Sequence, residues 1–309
     1  MKPDKARELM RFYRGELLNN VLPFWLAHGI DRENGGFLHY LERDGSVLST
    51  DKGIWIQGRF TWLLARLYNE VEPRTEWLEL AAHGIDFIMK CAFDKDGRCL
   101  YSVTRDGRPL RKRRYVFSEA FVVMALAEYA RALGASNGGA EYAARAKELF
   151  ALILHYLDTP GLLEPKVNPN TRPMKSHGTP MILLSLTQVL REMEESALYD
   201  EVAERSVEEV LRYFVHDDVK ALMETVGPGG ERLDGPAILK RLNEVLGAWG
   251  VGRHIYTGDV VIGLKGRIAF ECPGIDGLLA AHQALEDTVN TRFQNQFRQQ
   301  VSDRWTELV

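Results

Sequence analysis

Apolar positions along the chain define two kinds of helix that alternate. Leu9, Tyr13, Leu17, Val21 and Trp25 recur at helical spacing among polar residues, which predicts a helix packed on one face. Leu78, Ala81, Ile85 and Ile88 draw the same stripe further on. Two other stretches, "WIQGRFTWLLARLY" and "VFSEAFVVMALAEYARA", are apolar nearly all round, the pattern of a helix buried on both sides. Ahead of each stands an Asp-Gly pair between short alternating segments, the chemistry of a tight β-hairpin whose turn needs positive φ.

The order outer helix, hairpin, inner helix therefore repeats. Arg43-Asp44-Gly45 aligns with Arg105-Asp106-Gly107 at an offset of 62 residues. A looser third copy has a helix over 141–157, a Pro/Asn-rich loop and an apolar helix over 180–190. A fourth outer helix over 199–214 leads to a turn at 227–230. Such units cannot bury their faces singly and must stack. Closed into a ring they make an α/α toroid, with hairpins and inner-helix ends around a central pocket. A closed ring of six would need roughly 370 residues, more than the chain holds.

Composition narrows the function classes. The chain has 309 residues, 45% of them hydrophobic and 27% charged, which is ordinary for a globular protein with a sizeable core. A net charge of −4 argues against a nucleic-acid or anionic-membrane partner. The one dense basic cluster, Arg111 to Arg114, borders a turn and reads as solvated surface. No apolar run is long enough to span a bilayer. The amphipathic, acid-containing N-terminus resembles neither a signal nor a transit peptide. Cys91, Cys99 and Cys272 lack metal-ligand spacing, and an odd count without a signal fits a reducing cytosol.

Five motifs in the repeat region occur in an order that resembles the N-acylglucosamine 2-epimerase family: "FWLAHGIDRENGGF" (24–37), "GIWIQGR" (53–59), "TRDGRP" (104–109), "FSEAF" (117–121) and "SHGTPMILL" (176–184). The resemblance covers about residues 8–234. It implies a mainly α fold, an incomplete (α/α)6-type toroid with β-hairpins, and a sugar as ligand. The implied chemistry takes the proton α to the C1 carbonyl from C2 and returns it on the opposite face. Two acid/base groups with near-neutral pKa are needed, together with a cation or donor facing the oxyanion. No cofactor or metal is expected.

The resemblance singles out side chains that also have plain structural readings. Arg59 matches the family arginine that contacts sugar oxygens and is the expected catalytic residue; alternatively it braces the inner helix. Its place among Trp55, Ile56, Phe60 and Trp62 predicts a buried arginine, costly unless a ligand or an acid meets it. Glu119 is expected in the pocket, although an acid at a helix start is also explained by the helix dipole. His177, at the start of the third inner helix, either contacts sugar or is a satisfied structural histidine. Trp55 and Tyr115 either stack on a sugar face or belong to the core.

Beyond "GERLDGP" (230–236) the resemblance changes. The family places its first catalytic histidine in an "NPGH…E…W" helix after this turn and a second far downstream. Here the remaining histidines, His254 and His282, lack those surroundings, which predicts impaired catalysis. Instead, "GVGR" (250–253), "VIGLKGR" (261–267), "FECPG" (270–274) and "AHQALE" (281–286) resemble the C-terminal part of argininosuccinate synthase. That resemblance implies a small α+β segment over 235–309, distinct from a toroid portion over 1–234. The family's glycine-rich nucleotide loop is missing from this chain, so synthase activity is not expected. Gly258 and Phe270 stand where many members carry a Glu and a Tyr that grip the amino acid, while Lys265 and Arg267 read as a solvated strand edge. Residues 289–309 predict one amphipathic helix with Val289, Phe293, Phe297, Val301 and Trp305 on one face, a surface for homo-oligomer contact. The expected protein is thus a cytoplasmic, epimerase-like chain, or alternatively a non-catalytic sugar-binding module or a fusion without evolved activity.

Overall fold

The computed structural model describes residues 3–308, apart from 113–114, 165–167, 169, 171–172, 219, 231–234 and 260–264. Side chains of residues 3, 235–237, 256–259, 265–268, 270 and 306–308 also lie outside the description. Two compact units are present, Met1–Gly230 and Glu231–Val309.

The first unit begins with α1 (Pro3–Glu16), a π turn over Leu17–Val21 and α2 (Leu22–His28). The hairpin β1 (Tyr40–Leu41) and β2 (Val47–Ser49) follows, then β3 (Lys52–Gly53), α3 (Ile54–Glu70) and α4 (Thr75–Cys91). A second hairpin, β4 (Leu100–Val103) and β5 (Pro109–Lys112), precedes α5 (Phe117–Leu133) and α6 (Gly139–Asp158). The unit ends with β6 (Lys175–Ser176), α7 (Gly178–Met193), α8 (Ala197–Glu209), a π turn over Val210–Phe214, β7 (Val215–His216), β8 (Ala221–Leu222) and β9 (Thr225–Val226). Both Asp-Gly hairpins form as the turn chemistry predicts. Gly45 and Gly107 take φ of +87° and +91°, and a Cβ at either would run into His28 or Cys91.

Helices α3, α5 and α7 form the inner row, with α4, α6 and α8 outside them. α5 is buried continuously from Ser118 to Ala130, which is why its sequence shows no polar face. α3 reaches it closely because residue 58 is glycine; a Cβ there would lie 2.6 Å from the Phe121 carbonyl. Gln57, fully buried, accepts from Phe37 N and donates to Phe37 O, both at 2.8 Å, tying α3 to the chain before β1. Lys52 is also fully buried, and its three ammonium protons go to Asp31 Oδ2 (2.8 Å), Gly35 O (2.6 Å) and Arg105 O (2.8 Å). Arg105 grips Asp31 at 2.9 and 3.0 Å, so a single carboxylate joins the two hairpin regions.

The first predicted stripe needs correction. Leu9, Leu17 and Trp25 are half-buried, but Tyr13 and Val21 are 64% and 47% exposed, and Leu22 takes the core position at 3%. The π turn accounts for the change from Val21 to Leu22, whereas Tyr13 precedes it on α1. The wider ring of the π turn takes in an extra residue and moves the core-facing position on by one.

The second unit contains α9 (Gly235–Gly247), the antiparallel ribbon of β10 (Arg253–Asp259) and β11 (Lys265–Glu271), α10 (Pro273–Val289) and α11 (Arg292–Leu308). Gly274 lets α10 approach α9, and its N–H donates to Asn243 Oδ1 at 2.7 Å. A cleft lined by Asn243, Gly247, Val251, Arg253, Glu271 and Pro273 carries an Arg253–Glu271 ion pair at 3.0 Å. The single helix predicted over 289–309 is in fact broken after Val289. Thr291 and Gln294 form a reciprocal capping box, with Thr291 N donating to Gln294 Oε1 at 2.8 Å and Gln294 N to Thr291 Oγ1 at 3.3 Å. Val289 therefore closes α10, and Phe293, Phe297, Val301 and Trp305 stand 81%, 69%, 53% and 69% exposed on α11. The readings of Gly258, Lys265, Arg267 and Phe270 concern side chains outside the described residues. No helix among the described residues is long and apolar enough to cross a membrane.

Candidate functional site

The three inner helices run parallel. Gly58 of α3 touches Phe121 near the start of α5, and the Phe117 ring lies 3.5 Å from the Cβ position at Gly178, where α7 begins. At their far ends, Arg66 binds Glu128 (3.3 Å) and Glu192, while Arg131 binds Glu128 (2.7 Å), Glu192 (3.0 Å) and Glu70 (2.9 Å). Carboxylate oxygens of Glu70, Glu128 and Glu192 converge within 4.8 Å of one another, but these two guanidiniums occupy them. The helix N-termini, with their partial positive charge, thus gather at one end and the ion network at the other.

Arg59 lies at the N-terminal end. It is exposed, which corrects the expectation of a buried arginine. Instead of seeking an acid, its guanidinium stacks on Phe121 at 4.2 Å and on Trp55 at 5.1 Å from the ring centroids. Such stacking satisfies the cation's flat faces and leaves its N–H edge for another group. Trp55, half-buried, meets the Phe121 ring edge-on at 6.1 Å. Arg59, Trp55 and Phe121 thus form one aromatic-backed cationic surface.

Glu119 departs from the expected pocket contact. It is 1% exposed, and its Oε1 accepts from Arg98 Nε and Cys99 N, each at 3.0 Å. Burial pushes its carboxyl above the usual range against the pull of Arg98. Oε2 is sealed from solvent with no hydrogen-bond partner among the described residues. The reason for the difference is Arg98, itself 6% exposed, which draws the carboxylate inward. Arg98 also donates to Tyr115 O at 2.8 Å and stacks on Tyr156 at 4.5 Å. Glu119 therefore acts through Arg98 on the half-buried Tyr115 segment that leads into α5. His177 is half-buried at the start of α7, its ring edge-on to Phe214 at 5.6 Å and its N–H donating to Glu224 O at 2.9 Å.

One side chain at this end carries no motif in the sequence. His39 packs on Tyr40 with ring centroids 4.2 Å apart. A Cβ at Gly53, the residue before α3, would lie 3.5 Å from His39 Nε2 and 3.5 Å from Trp55 Cδ1. His39 Nδ1 is shielded from solvent and has no hydrogen-bond partner among the described residues. Burial holds the imidazole below its ordinary pKa. The available signal was its place two residues after the buried Phe37, on the same side of an extended segment.

Comparison with known proteins gives this arrangement a lineage. The family model of N-acylglucosamine 2-epimerase matches residues 35–226, which hold Trp55, Arg59, Tyr115, Glu119 and His177. The chain belongs to the N-acylglucosamine 2-epimerase family. The human N-acylglucosamine 2-epimerase is 34% identical over 245 residues, covering 75% of this chain and 56% of the relative, so the chain spans a little over half the length of that enzyme. The solved structure of cellobiose 2-epimerase from Bacillus thermoamylovorans superposes with a TM-score of 0.64 at 22% identity, covering 74% of this chain and 61% of the other. The fold is accordingly mainly α, an incomplete (α/α)6-type toroid with β-hairpins.

The remainder of the chain has a different lineage. The model of the argininosuccinate synthase C-terminal domain matches residues 203–309 and overlaps the epimerase match within 203–226. The synthase of Xylella fastidiosa is 55% identical over 86 residues, covering 28% of this chain and 21% of the synthase. The synthase resemblance thus begins inside α8, earlier than the motifs after residue 236 suggest.

Proposed function

We propose that residues 1–234 form a sugar site of the 2-epimerase type, acting on the C2 centre of an N-acyl-hexosamine, and that residues 235–309 are a second domain of separate descent. The observation that carries the reading is the exposed Arg59 guanidinium backed by Trp55 and Phe121, with no carboxylate partner among the described residues. An N–H edge at the gathered helix N-termini suits the C1 oxygen, where negative charge develops when C2 loses its proton. Trp55 and Tyr115 would line the ring faces of the sugar, and His177 its far side. The match to a sugar-epimerase family supports this choice of ligand. Residues 35–226 and the compact unit Met1–Gly230 support the placing of the site in the first domain.

A second reading, sugar binding without epimerisation, is favoured by the later histidines. His254 Nε2 is 2.9 Å from Asp276 Oδ1 and His282 Nδ1 is 3.6 Å from Glu286 Oε2, both within the second compact unit. The apolar face of α11 supports contact between copies of the chain. The three free cysteines, two of them buried, are in keeping with a reducing cytoplasm.

Saturation-transfer NMR with N-acetylmannosamine and N-acetylglucosamine tests the site. Transfer to at least one sugar is expected, lost in Arg59→Ala while the circular dichroism spectrum stays native. An Arg59→Ala protein that binds like the parent would sink the assignment.

A further inference from the structure

We propose that His39 is the base on one face of this sugar site, an inference that rests on the reading just given and adds a residue to it. The geometry points to it in two ways. Its Nε2 and the Trp55 indole Cδ1 each lie 3.5 Å from the point that a side chain at residue 53 would fill, and glycine leaves that point open. His39 thus stands beside the Trp55 that backs Arg59. Its Nδ1 is shielded without a partner among the described residues, whereas a histidine kept for structure normally spends its ring nitrogens on hydrogen bonds. The lowered pKa keeps the ring neutral, the form that accepts a proton.

The step balances with these groups alone. In the open-chain N-acyl-hexosamine, His39 Nε2 takes the C2 proton. The C2–H electron pair becomes the C1–C2 double bond, and the carbonyl π pair moves to O1 as an enolate oxygen facing Arg59. In D2O the imidazolium exchanges its proton for a deuteron and returns that to C2, restoring the carbonyl. A base on one face returns the deuteron to the face it came from. The chain therefore exchanges the C2 hydrogen with retention, and the epimer forms more slowly, when water rather than His39 delivers the proton to the other face of the enolate.

The experiment uses the full chain with each N-acetylhexosamine in D2O, following the C2 proton, the epimer and saturation transfer together. The parent is expected to bind, to lose the C2 signal and to accumulate epimer more slowly. His39→Gln is expected to bind but to exchange at least ~100-fold more slowly. Gly53→Ala, whose φ of −79° accepts any residue and whose methyl makes only ordinary contacts, fills the gap and slows exchange while the fold persists. Exchange at the parental rate in His39→Gln overturns the inference, and so does a parent that binds sugar without exchange. Absence of saturation transfer from the parent overturns the sugar site itself, and His39 with it.

Discussion

The two compact units handle their apolar residues in opposite ways. In the first, α5 is enclosed along most of its length, and even charged groups are drawn inside as matched sets: Lys52 with Asp31, Arg98 with Glu119. In the second, no large apolar side chain among the described residues is buried, and α10 encloses only Gly274. Leu279, Leu285 and Val289 stand 63%, 61% and 72% exposed on α10, continuing into the aromatic row of α11. The lesson is that similar helix patterns carry different energetic weight. An apolar stripe stabilises a fold only where another element removes it from water.

The contrast breaks first at the buried ions. Arg98→Ala leaves the Glu119 carboxylate enclosed without its cation, and urea unfolding is expected to show a loss of about 3–5 kcal/mol. Leu126→Ala, in the middle of α5 with 0% exposure, is expected to cost about 2–5 kcal/mol in the same assay. Asp31 supplies a pH signature. Arg105, Lys52 and the N–H groups of Glu33 and Asn34 hold its carboxyl well below the usual range despite burial. A depressed folded pKa stabilises above the unfolded value of about 3.9 and loses that contribution as pH falls towards the folded one. Stability of the parent should therefore decline between about pH 4 and pH 2.5 by up to about 2 kcal/mol more than that of Asp31→Asn, measured as urea midpoints across pH 2.5–7. The smallest effect belongs to the second unit. Phe293→Ser with Phe297→Ser should change stability by no more than about 0.5 kcal/mol, yet lower the apparent mass in sedimentation if copies meet through α11. A large stability loss from that pair would erase the contrast.

What was legible in the chain followed from local chemistry. Asp-Gly marked both hairpins, and the absence of a polar face marked α5 as an inner helix, because each depends on residues within a turn or two. Thr291 and Gln294 also signal the break before α11, although the periodicity from Val289 onward overrode that signal in the sequence reading. The π turn at Leu17–Val21 has no local signature and displaced the expected stripe. At the site, residue types were readable but partners were not. Arg59 reads as buried from its own helix, and only Phe121 from the next inner helix explains its exposed, stacked position. Glu119 reads as pocket-facing until Arg98, 21 residues earlier, is seen to hold it. His39 carried no local mark, since its significance lies in the gap at Gly53.

The buried core and the proposed sugar site both lie in the first unit. Expressing residues 1–230 alone and following urea unfolding together with saturation transfer from N-acetylmannosamine tests that assignment directly. One cooperative transition is expected, with the same transfer as the full chain, lost again in Arg59→Ala. A fragment that lacks cooperative unfolding, or that binds only when residues 231–309 are attached, would contradict it.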